Sequence, residues 1–323
     1  MPLHAQILFY AIPGFLLTMA LEIWWDRRKG TGHYAPKDAL TSVGLGLGFL
    51  VVSAGWGILT WAAYSFGYAH RLFEIPFTGW SLVLLVVLED HSYYWYHRLS
   101  HEVPSFWAAH VAHHSSEHYT LATALRQPWT TGWYAWIFWT PLCLLGFHPG
   151  WVLAQQAANL VYQYWIHTPF VGKLGPFGWV FNTPSHHRVH HGSNPRYIDR
   201  NHAGIFILWD RLYGSFEPET EAVVYGITKP VRSHNLLWLN LHVYADLWRE
   251  ARQSGSLWGG LKVCFQRRAR GEPRGAPQGP GMRSAPPLLS GGVCGAVAAL
   301  APRAAAVAPV SGGARRLLFV VGA

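Results

Sequence analysis

The sequence predicts an all-α integral membrane protein, a polytopic bundle of about four to five membrane helices with a cytoplasmic, histidine-rich helical cap. Half of the 323 residues are hydrophobic and only 13% are charged, whereas soluble domains carry about 25% charged residues. Aromatic residues make up 15%, including 18 Trp, and such enrichment is typical of chains that place aromatic side chains at membrane–water interfaces. Long apolar runs alternate with stretches that are dense in histidine.

Five apolar segments are long enough to cross a bilayer, which takes roughly 17 to 25 helical residues. They run approximately over 7–25, 41–69, 76–96, 129–147 and 151–166. The loop after the first segment contains Arg27, Arg28, Lys29 and Lys37, and basic loops of this kind stay in the cytoplasm. Counting crossings from that loop places all the histidine-dense stretches on the cytoplasmic face.

The net charge of +9 comes mainly from the end of the chain. Residues 267–323 contain eight Arg and the single acid Glu272, a net +7 that leaves +2 for the rest. The basic balance therefore gives no reason to expect nucleic acid as a partner. We expect N-terminal membrane helices over 1–75, a catalytic region over 76–250, and a linker with a disordered, low-complexity Arg/Gly/Pro/Ala-rich tail over 251–323.

Three histidine boxes follow helical spacing. The third box is "TPSHHRVHHG", residues 183–192. In it Thr183 suits the N-cap and Pro184 the first helical position. Three of its histidines then share one helical face, while His186 points elsewhere. The second box, over residues 110–114, repeats the i, i+3, i+4 spacing. The first box, over residues 97–101, has two histidines at the i, i+4 spacing. The eight imidazoles predicted to meet are His97, His101, His110, His113, His114, His187, His190 and His191.

A buried cluster of imidazoles needs a cation, because neutral rings lack enough partners and charged rings repel one another. Neutral imidazole binds Fe, Zn and Cu well, and eight ligands exceed what one ion accepts, so we expect two metal ions. The fifth apolar segment adds a polar stripe of Gln156, Asn159, Gln163 and His167 at helical spacing. Because polar groups inside membranes usually face a site, His167 is predicted as a ninth ligand.

A metal-binding or metal-transporting membrane protein without redox chemistry would also use such ligands. Its histidines would be expected within the spanning helices, where transporters bind their cargo. In this sequence they gather at one face instead. The three cysteines have no CxxC spacing and predict neither a disulfide framework nor a cysteine zinc site.

The boxes resemble those of the membrane fatty acid hydroxylase/sterol desaturase superfamily, whose pattern is HxxxH, HxxHH and HxxHH. Longer stretches, such as "HHSSEHYTLATALRQ" and "NTPSHHRVHHGSNPRYIDRNHAGIFILWDRLYGSFEPE", resemble the branch of that superfamily that cleaves ether lipids. The resemblance covers roughly residues 80–230. Gln163 is a departure, since some superfamily members have a further histidine there.

The resemblance implies a non-heme di-iron centre that uses O2 to hydroxylate a C–H bond of a lipid. In the ether-lipid branch, hydroxylation beside the ether oxygen gives a hemiacetal, which collapses to a fatty aldehyde and a glycerol derivative. Electrons would come from an external donor, tetrahydrobiopterin in that branch. The implied partners are thus a lipid substrate, the membrane and the electron donor. The same oxidant would serve a sterol, hopanoid, carotenoid or fatty-acyl hydroxylase or desaturase.

Further residues are assigned supporting roles in the catalytic site. Glu102 follows the first box and is expected to support or occasionally ligate a metal. Asp90 lies seven residues before His97 on the same helical face and is expected to orient an imidazole. A phosphate or lipid headgroup is expected to bind Arg126, Arg188, Arg196 and Arg200, although positive charge on the cytoplasmic side explains these four equally well.

Overall fold

The structure, a computed structural model, describes residues 1–267, and these residues form twelve α-helices. In chain order they are α1 (Leu3–Lys29), α2 (Pro36–Ala69), α3 (Gly79–Glu102), α4 (Pro104–His114), α5 (Leu121–Ala124), α6 (Trp136–Leu145), α7 (Pro149–Trp165), α8 (Phe177–Val180), α9 (Pro184–His190), α10 (Leu208–Leu212), α11 (Leu236–Gln253) and α12 (Leu257–Phe265). Within this range β-structure is limited to two isolated antiparallel bridges. The predicted all-α class is confirmed.

Helices α1 and α2 are the two in the described range that are long and apolar enough to cross a membrane. Their 27 and 34 residues span about 40 and 50 Å at 1.5 Å per residue, more than the roughly 30 Å of a bilayer core. Their apolar side chains face outward, as Leu17 and Val51 do at 62% and 76% exposure. Such a surface is stable against lipid, which indicates that the chain associates with a membrane.

The expected fourth membrane segment, 129–147, is not one continuous helix. It holds a 3-10 turn, Thr131–Trp133, followed by the ten residues of α6, which extend only about 15 Å. The reason lies at Trp129, whose backbone N–H binds Asn240 Oδ1 at 2.8 Å and whose indole N–H binds the Leu45 carbonyl at 2.8 Å. These bonds fix the segment in a non-helical conformation against α2 and α11.

Helices α6 and α7 form the expected tight hairpin at "HPG". His148 is the N-cap of α7, and its Nδ1 accepts the Gly150 N–H at 3.1 Å. The hairpin packs on α2 and α3 through an apolar core of Tyr64, Leu85, Trp139, Leu142, Cys143, Phe147 and Val152. This core lies beyond one end of the histidine boxes and holds α3 and α7 side by side.

Replacing Gly48 by Ala is expected to destabilise the protein. A Cβ at Gly48 would lie 2.1 Å from Trp129 Cζ2, so the indole that binds α2 must move, at about 1–3 kcal/mol. The matched change Gly55→Ala, on the same helix with no heavy atom within 4 Å, should be neutral or stabilising because Ala favours helix over Gly. Thermal unfolding in detergent measures both, and equal midpoints for the two variants would contradict this packing.

The chain after 250 is more ordered than the sequence analysis expects. Helix α11 continues to Gln253, and α12 covers Leu257–Phe265, with Ser256 as an N-cap whose Oγ accepts the Gly259 N–H at 3.0 Å. Part of the expected linker is therefore helical. The expected disorder of the tail concerns residues 268–323, which lie outside the described residues.

Candidate metal centre

The three histidine boxes lie at the C-terminal ends of helices α3, α4 and α9. His101 is in the last turn of α3, His114 ends α4, and His191 is the C-cap of α9. A helix C-terminus carries partial negative charge from its unpaired carbonyls, which favours a cation nearby. As predicted, α9 has Thr183 at the N-cap and Pro184 at its first position, although the Thr183 side chain makes no capping bond.

The nine histidines predicted as ligands converge into two groups. Within each group the ligand nitrogens lie within 4.8 Å of one another. The five-histidine group consists of His97, His101, His110, His114 and His190, and the four-histidine group of His113, His167, His187 and His191. All nine residues are at most 7% exposed, while His186 belongs to neither group, as expected.

Neighbouring imidazole nitrogens point at each other within both groups. His97 Nε2 lies 3.2 Å from His110 Nε2, and His187 Nε2 lies 3.0 Å from His167 Nε2. Two neutral rings can share one proton at such a distance, but a whole set of converging lone pairs repels itself. A cation between the rings would turn this repulsion into coordination.

Backbone carbonyls fix the orientation of four of these rings. The bonds join Nδ1 of His97 to His202 O (2.9 Å), of His113 to Arg126 O (3.2 Å), of His167 to Gln163 O (2.8 Å) and of His190 to Arg200 O (2.9 Å). Because a carbonyl can only accept, Nδ1 carries the hydrogen in each ring. The lone pair therefore stands on Nε2, as in histidines that bind metal through Nε2.

Burial keeps four imidazoles of the second and third boxes uncharged. It lowers the pKa of His113 to about 4. It also lowers the pKa of His114, His190 and His191 well below the ordinary value, and the neighbouring histidines add to this effect. At neutral pH these rings are in the neutral form that binds metal.

The buried Nε2 atoms of His190 and His191 test whether the site suits a metal. Neither finds a hydrogen-bond partner among the described residues. Leaving a buried polar atom unpaired costs about 1–3 kcal/mol, and a divalent ion coordinated at Nε2 would remove that cost. The donor set, its burial and its orientation thus fit a pair of imidazole-binding metal ions.

Asp90 does not contact an imidazole, contrary to expectation. Its carboxylate accepts the backbone N–H groups of Ile205 and Phe206 at 2.6 and 2.8 Å and the indole N–H of Trp209 at 2.9 Å. It therefore holds the loop after the third box. That loop carries the carbonyl of His202 that orients an imidazole, so Asp90 acts on the site indirectly.

Asp210, which the sequence analysis does not single out, holds the same loop from the other side. Its carboxylate accepts the backbone N–H groups of His202 and Ala203, each at 2.8 Å. His202 itself is fully buried, with its ring 5.1 Å from that of His101. Asp210 has no regular sequence spacing from the histidine boxes. Its contact with the loop could therefore not be predicted from the sequence.

Glu102 belongs to neither histidine group, and its carboxylate is held by arginines. Its Oε1 accepts the Arg98 Nε–H at 2.9 Å, and its Oε2 forms an ion pair with Arg267. Arg98 lies one turn earlier on α3, which places the pair on a different helical face from His101. The structure therefore gives no support to Glu102 as a ligand.

Two of the four arginines expected to hold a headgroup are buried in internal ion pairs. Arg126 Nη1 lies 3.2 Å from Asp38 Oδ1, which joins the second box to the start of α2. Arg188 donates to both carboxylate oxygens of Glu219, at 2.7 Å each. Removing one partner of a buried pair is costly, so these side chains serve the scaffold.

The other two arginines differ. Arg196 pairs with Glu217 at 2.7 Å and is more than half exposed. Arg200 contributes its backbone carbonyl to His190. Arg126 and Arg188 are thus committed to internal ion pairs, and a headgroup role for Arg196 and Arg200 stays a prediction.

The predicted polar stripe on α7 divides between two faces. Asn159 and Gln163 face α3 near the histidines, and Asn159 Nδ2 donates to Glu89 Oε2 at 2.9 Å. Gln156 instead bonds with Tyr64 on α2. Helical spacing alone does not separate these neighbours.

Residues 82–215, which contain both histidine groups, match the fatty acid hydroxylase family. This part of the chain therefore belongs to the fatty acid hydroxylase family, a class of membrane-bound hydroxylases, and its histidine groups are the part that could hold metal.

Among curated proteins the chain is similar to alkylglycerol monooxygenase of Homo sapiens, with 39% identity over 262 residues, and to that of Danio rerio, with 41% identity over 260 residues. Each match covers 79% of this chain and 58% of the relative. Ornithine lipid hydroxylase OlsE of Rhizobium tropici is 28% identical over 66% of either chain. The chain thus spans little more than half the length of the alkylglycerol monooxygenases. No solved structure matches it significantly.

Proposed function

We propose that this chain is a membrane-bound di-iron monooxygenase that hydroxylates the carbon next to the ether oxygen of an alkylglycerol lipid. The observation that carries the proposal is the convergence of nine buried imidazoles into two groups. The similarity to alkylglycerol monooxygenases supports the substrate class. Hydroxylases of other lipids, such as OlsE, match at lower identity.

The five-histidine group would hold one iron and the four-histidine group the other. Imidazole-only ligation leaves both ions strongly cationic, and the C-terminal ends of α3, α4 and α9 offset part of that charge. When bound, the iron pair would supply the activation of O2 needed to attack an unactivated C–H bond. Buried aromatic and aliphatic walls around the rings would exclude water from the oxidant.

The overall reaction consumes one O2, two electrons and two protons, and yields the hydroxylated lipid and water. Hydroxylation beside the ether oxygen produces a hemiacetal, which breaks into a fatty aldehyde and a glycerol derivative. The two electrons must come from an external reductant, and we propose a tetrahydropterin.

We further propose that α1, α2, α3 and the α6–α7 hairpin enter the membrane, with the histidine groups at its cytoplasmic surface. Helix α1 ends in Arg27, Arg28 and Lys29, as cytoplasmic helix ends do. At this same end Glu22 accepts the Thr168 hydroxyl, one residue after His167. The basic end of α1 therefore lies beside the metal centre. We also propose that residues 1–75 form N-terminal membrane helices, 76–250 the catalytic region, and 251–323 a linker and low-complexity tail.

Metal analysis and turnover of the purified chain test this function. We expect two iron ions per chain, antiferromagnetically coupled in the Mössbauer spectrum, and release of fatty aldehyde from an alkylglycerol supplied with a tetrahydropterin and O2. Aldehyde release should match O2 consumption. Iron without aldehyde would point to another lipid, and bound metal without any O2 consumption would favour a metal-handling protein and refute the proposal.

A further inference from the structure

The hydrogen-bonded side chains of Tyr93 and Gln163 link the two histidine groups. Tyr93 lies one turn before His97 on α3, and Gln163 lies one turn before His167 on α7. The Tyr93 hydroxyl donates to Gln163 Oε1 at 2.6 Å. We propose that these two residues form a positioning pair, which sets the relative orientation of one ligand of the five-histidine group and one ligand of the four-histidine group.

Each member of the pair also touches its own histidine. The backbone carbonyl of Gln163 accepts the His167 Nδ1–H at 2.8 Å. The ring of Tyr93 lies 5.3 Å from the ring of His97, inclined by 54°. A shift of the Tyr93–Gln163 bond is therefore transmitted to both groups, one through a hydrogen bond and the other through ring packing.

The amide of Gln163 is locked in one orientation. Its Nε2 donates to Asn159 Oδ1 at 2.8 Å, and Asn159 Nδ2 donates in turn to Glu89 Oε2 at 2.9 Å. Since carboxylate Oε1 of Glu89 accepts the Trp139 indole N–H at 3.0 Å, every donor in the chain has a defined acceptor. Flipping the Gln163 amide would set its oxygen against Asn159 Oδ1, acceptor against acceptor. Flipping Asn159 would set its oxygen against the Glu89 carboxylate and its N–H groups against those of Gln163, so Gln163 presents its oxygen to Tyr93.

The loop after the third box closes on the pair from the other side. A Cβ at Gly204 would lie 2.8 Å from Tyr93 Cδ1, 2.8 Å from Asn159 Oδ1 and 2.6 Å from Asp90 Oδ1. Only a glycine permits this approach. The ring of Tyr93 is therefore confined between His97 and the loop. Because the packing is tight, a displacement of this ring would also displace the His97 ring.

A second tyrosine–glutamine pair provides a matched control. Tyr64 on α2 and Gln156 on α7 are hydrogen-bonded at 3.1 Å, and Tyr64 is fully buried in the apolar core. Neither residue contacts a histidine of the two groups. Loss of the Tyr64 hydroxyl therefore measures the general effect of breaking a hydrogen bond between two helices.

The test compares Tyr93→Phe, Gln163→Leu, their double variant and Tyr64→Phe in the full chain. Iron per chain, the 57Fe Mössbauer spectrum, kcat, the KM for the lipid and product formed per O2 consumed are measured. We expect full iron content, a changed spectrum, a kcat lowered about tenfold, a nearly unchanged KM and lower product per O2 for both single variants. The double variant should be no worse than the worse single variant, because the pair acts as a unit.

Tyr64→Phe should match the wild type in spectrum and in product per O2. A wild-type spectrum for Tyr93→Phe, or additive losses in the double variant, would overturn the inference. Tyr93→Phe removes a single oxygen, so it decides the matter alone if Gln163→Leu does not accumulate. The inference rests on the proposed function. Failure of the wild type to bind iron refutes that function, whereas an active wild type with unaffected variants refutes only the positioning pair.

Discussion

Replacing His190 with Ala is expected to abolish turnover and to remove one of the two iron ions while the protein still inserts into the membrane. His190 is 4% exposed, its Nδ1–H is bound to the Arg200 carbonyl, and its Nε2 faces the five-histidine group. Loss of this ligand leaves an incomplete coordination shell, so activity should fall by about 100-fold or more. Iron content and aldehyde release, measured on the same preparation, should fall together.

The neighbouring His186 supplies the control for this experiment. It lies in the same box and on the same short helix, yet its ring packs against Phe216 at 5.5 Å and joins neither group. His186→Ala should therefore keep both iron ions. If His186→Ala lost iron as His190→Ala does, the assignment of ligands from the two groups would be wrong.

Asp90→Ala is expected to destabilise the fold strongly. The substitution removes the acceptor of three partly buried donors, namely the backbone N–H groups of Ile205 and Phe206 in the loop after the third box and the indole N–H of Trp209 on α10. Each unpaired donor costs about 1–3 kcal/mol, so the free energy of unfolding should fall by at least about 3 kcal/mol. Thermal unfolding in detergent should show a lower midpoint, and iron affinity should fall with it.

Asp246→Ala is a matched loss of a carboxylate in a different setting. Asp246 pairs with Lys229 and Arg249 at the surface of α11, and exposed ion pairs contribute about 0–1 kcal/mol. Its unfolding midpoint should stay near that of the wild type. A small effect of Asp90→Ala, comparable with that of Asp246→Ala, would mean that the loop is not held by Asp90.

Much of the fold could be predicted because a membrane helix requires a long run of apolar residues, which is visible in the sequence. Hydropathy predicts the presence of α1 and α2, although α1 extends four residues further at each end and α2 begins five residues earlier than predicted. The hairpin at "HPG" follows from its turn residues. The segment around Trp129 could not be predicted, since its backbone N–H is bound by the Asn240 side chain and its indole N–H by the Leu45 carbonyl, both from distant parts of the chain. Apolar composition indicates that a segment is buried. It does not indicate which distant residue will bind a backbone group that lacks a helical hydrogen bond.

The convergence of the nine histidines could be predicted because side chains at i, i+3 and i+4 share one face of a helix. The supporting residues could not, because hydrogen bonds between distant segments leave no period in the sequence. Asp90 shares a helical face with His97, yet its carboxylate is used by a loop more than 110 positions later. Glu102 follows His101 directly, and its carboxylate still accepts a hydrogen bond from Arg98. Proximity along the chain was a poor guide to contact in these two cases.

The four carbonyls that hold imidazole Nδ1 atoms belong to the main chain at Arg126, Gln163, Arg200 and His202. Every amino acid offers the same carbonyl. Evolution can therefore exchange the side chain at such a position without losing the bond, provided that the local backbone path is kept. Relatives that differ there can share one ligand geometry, and redesign of this centre should preserve loop lengths and turns ahead of residue identity.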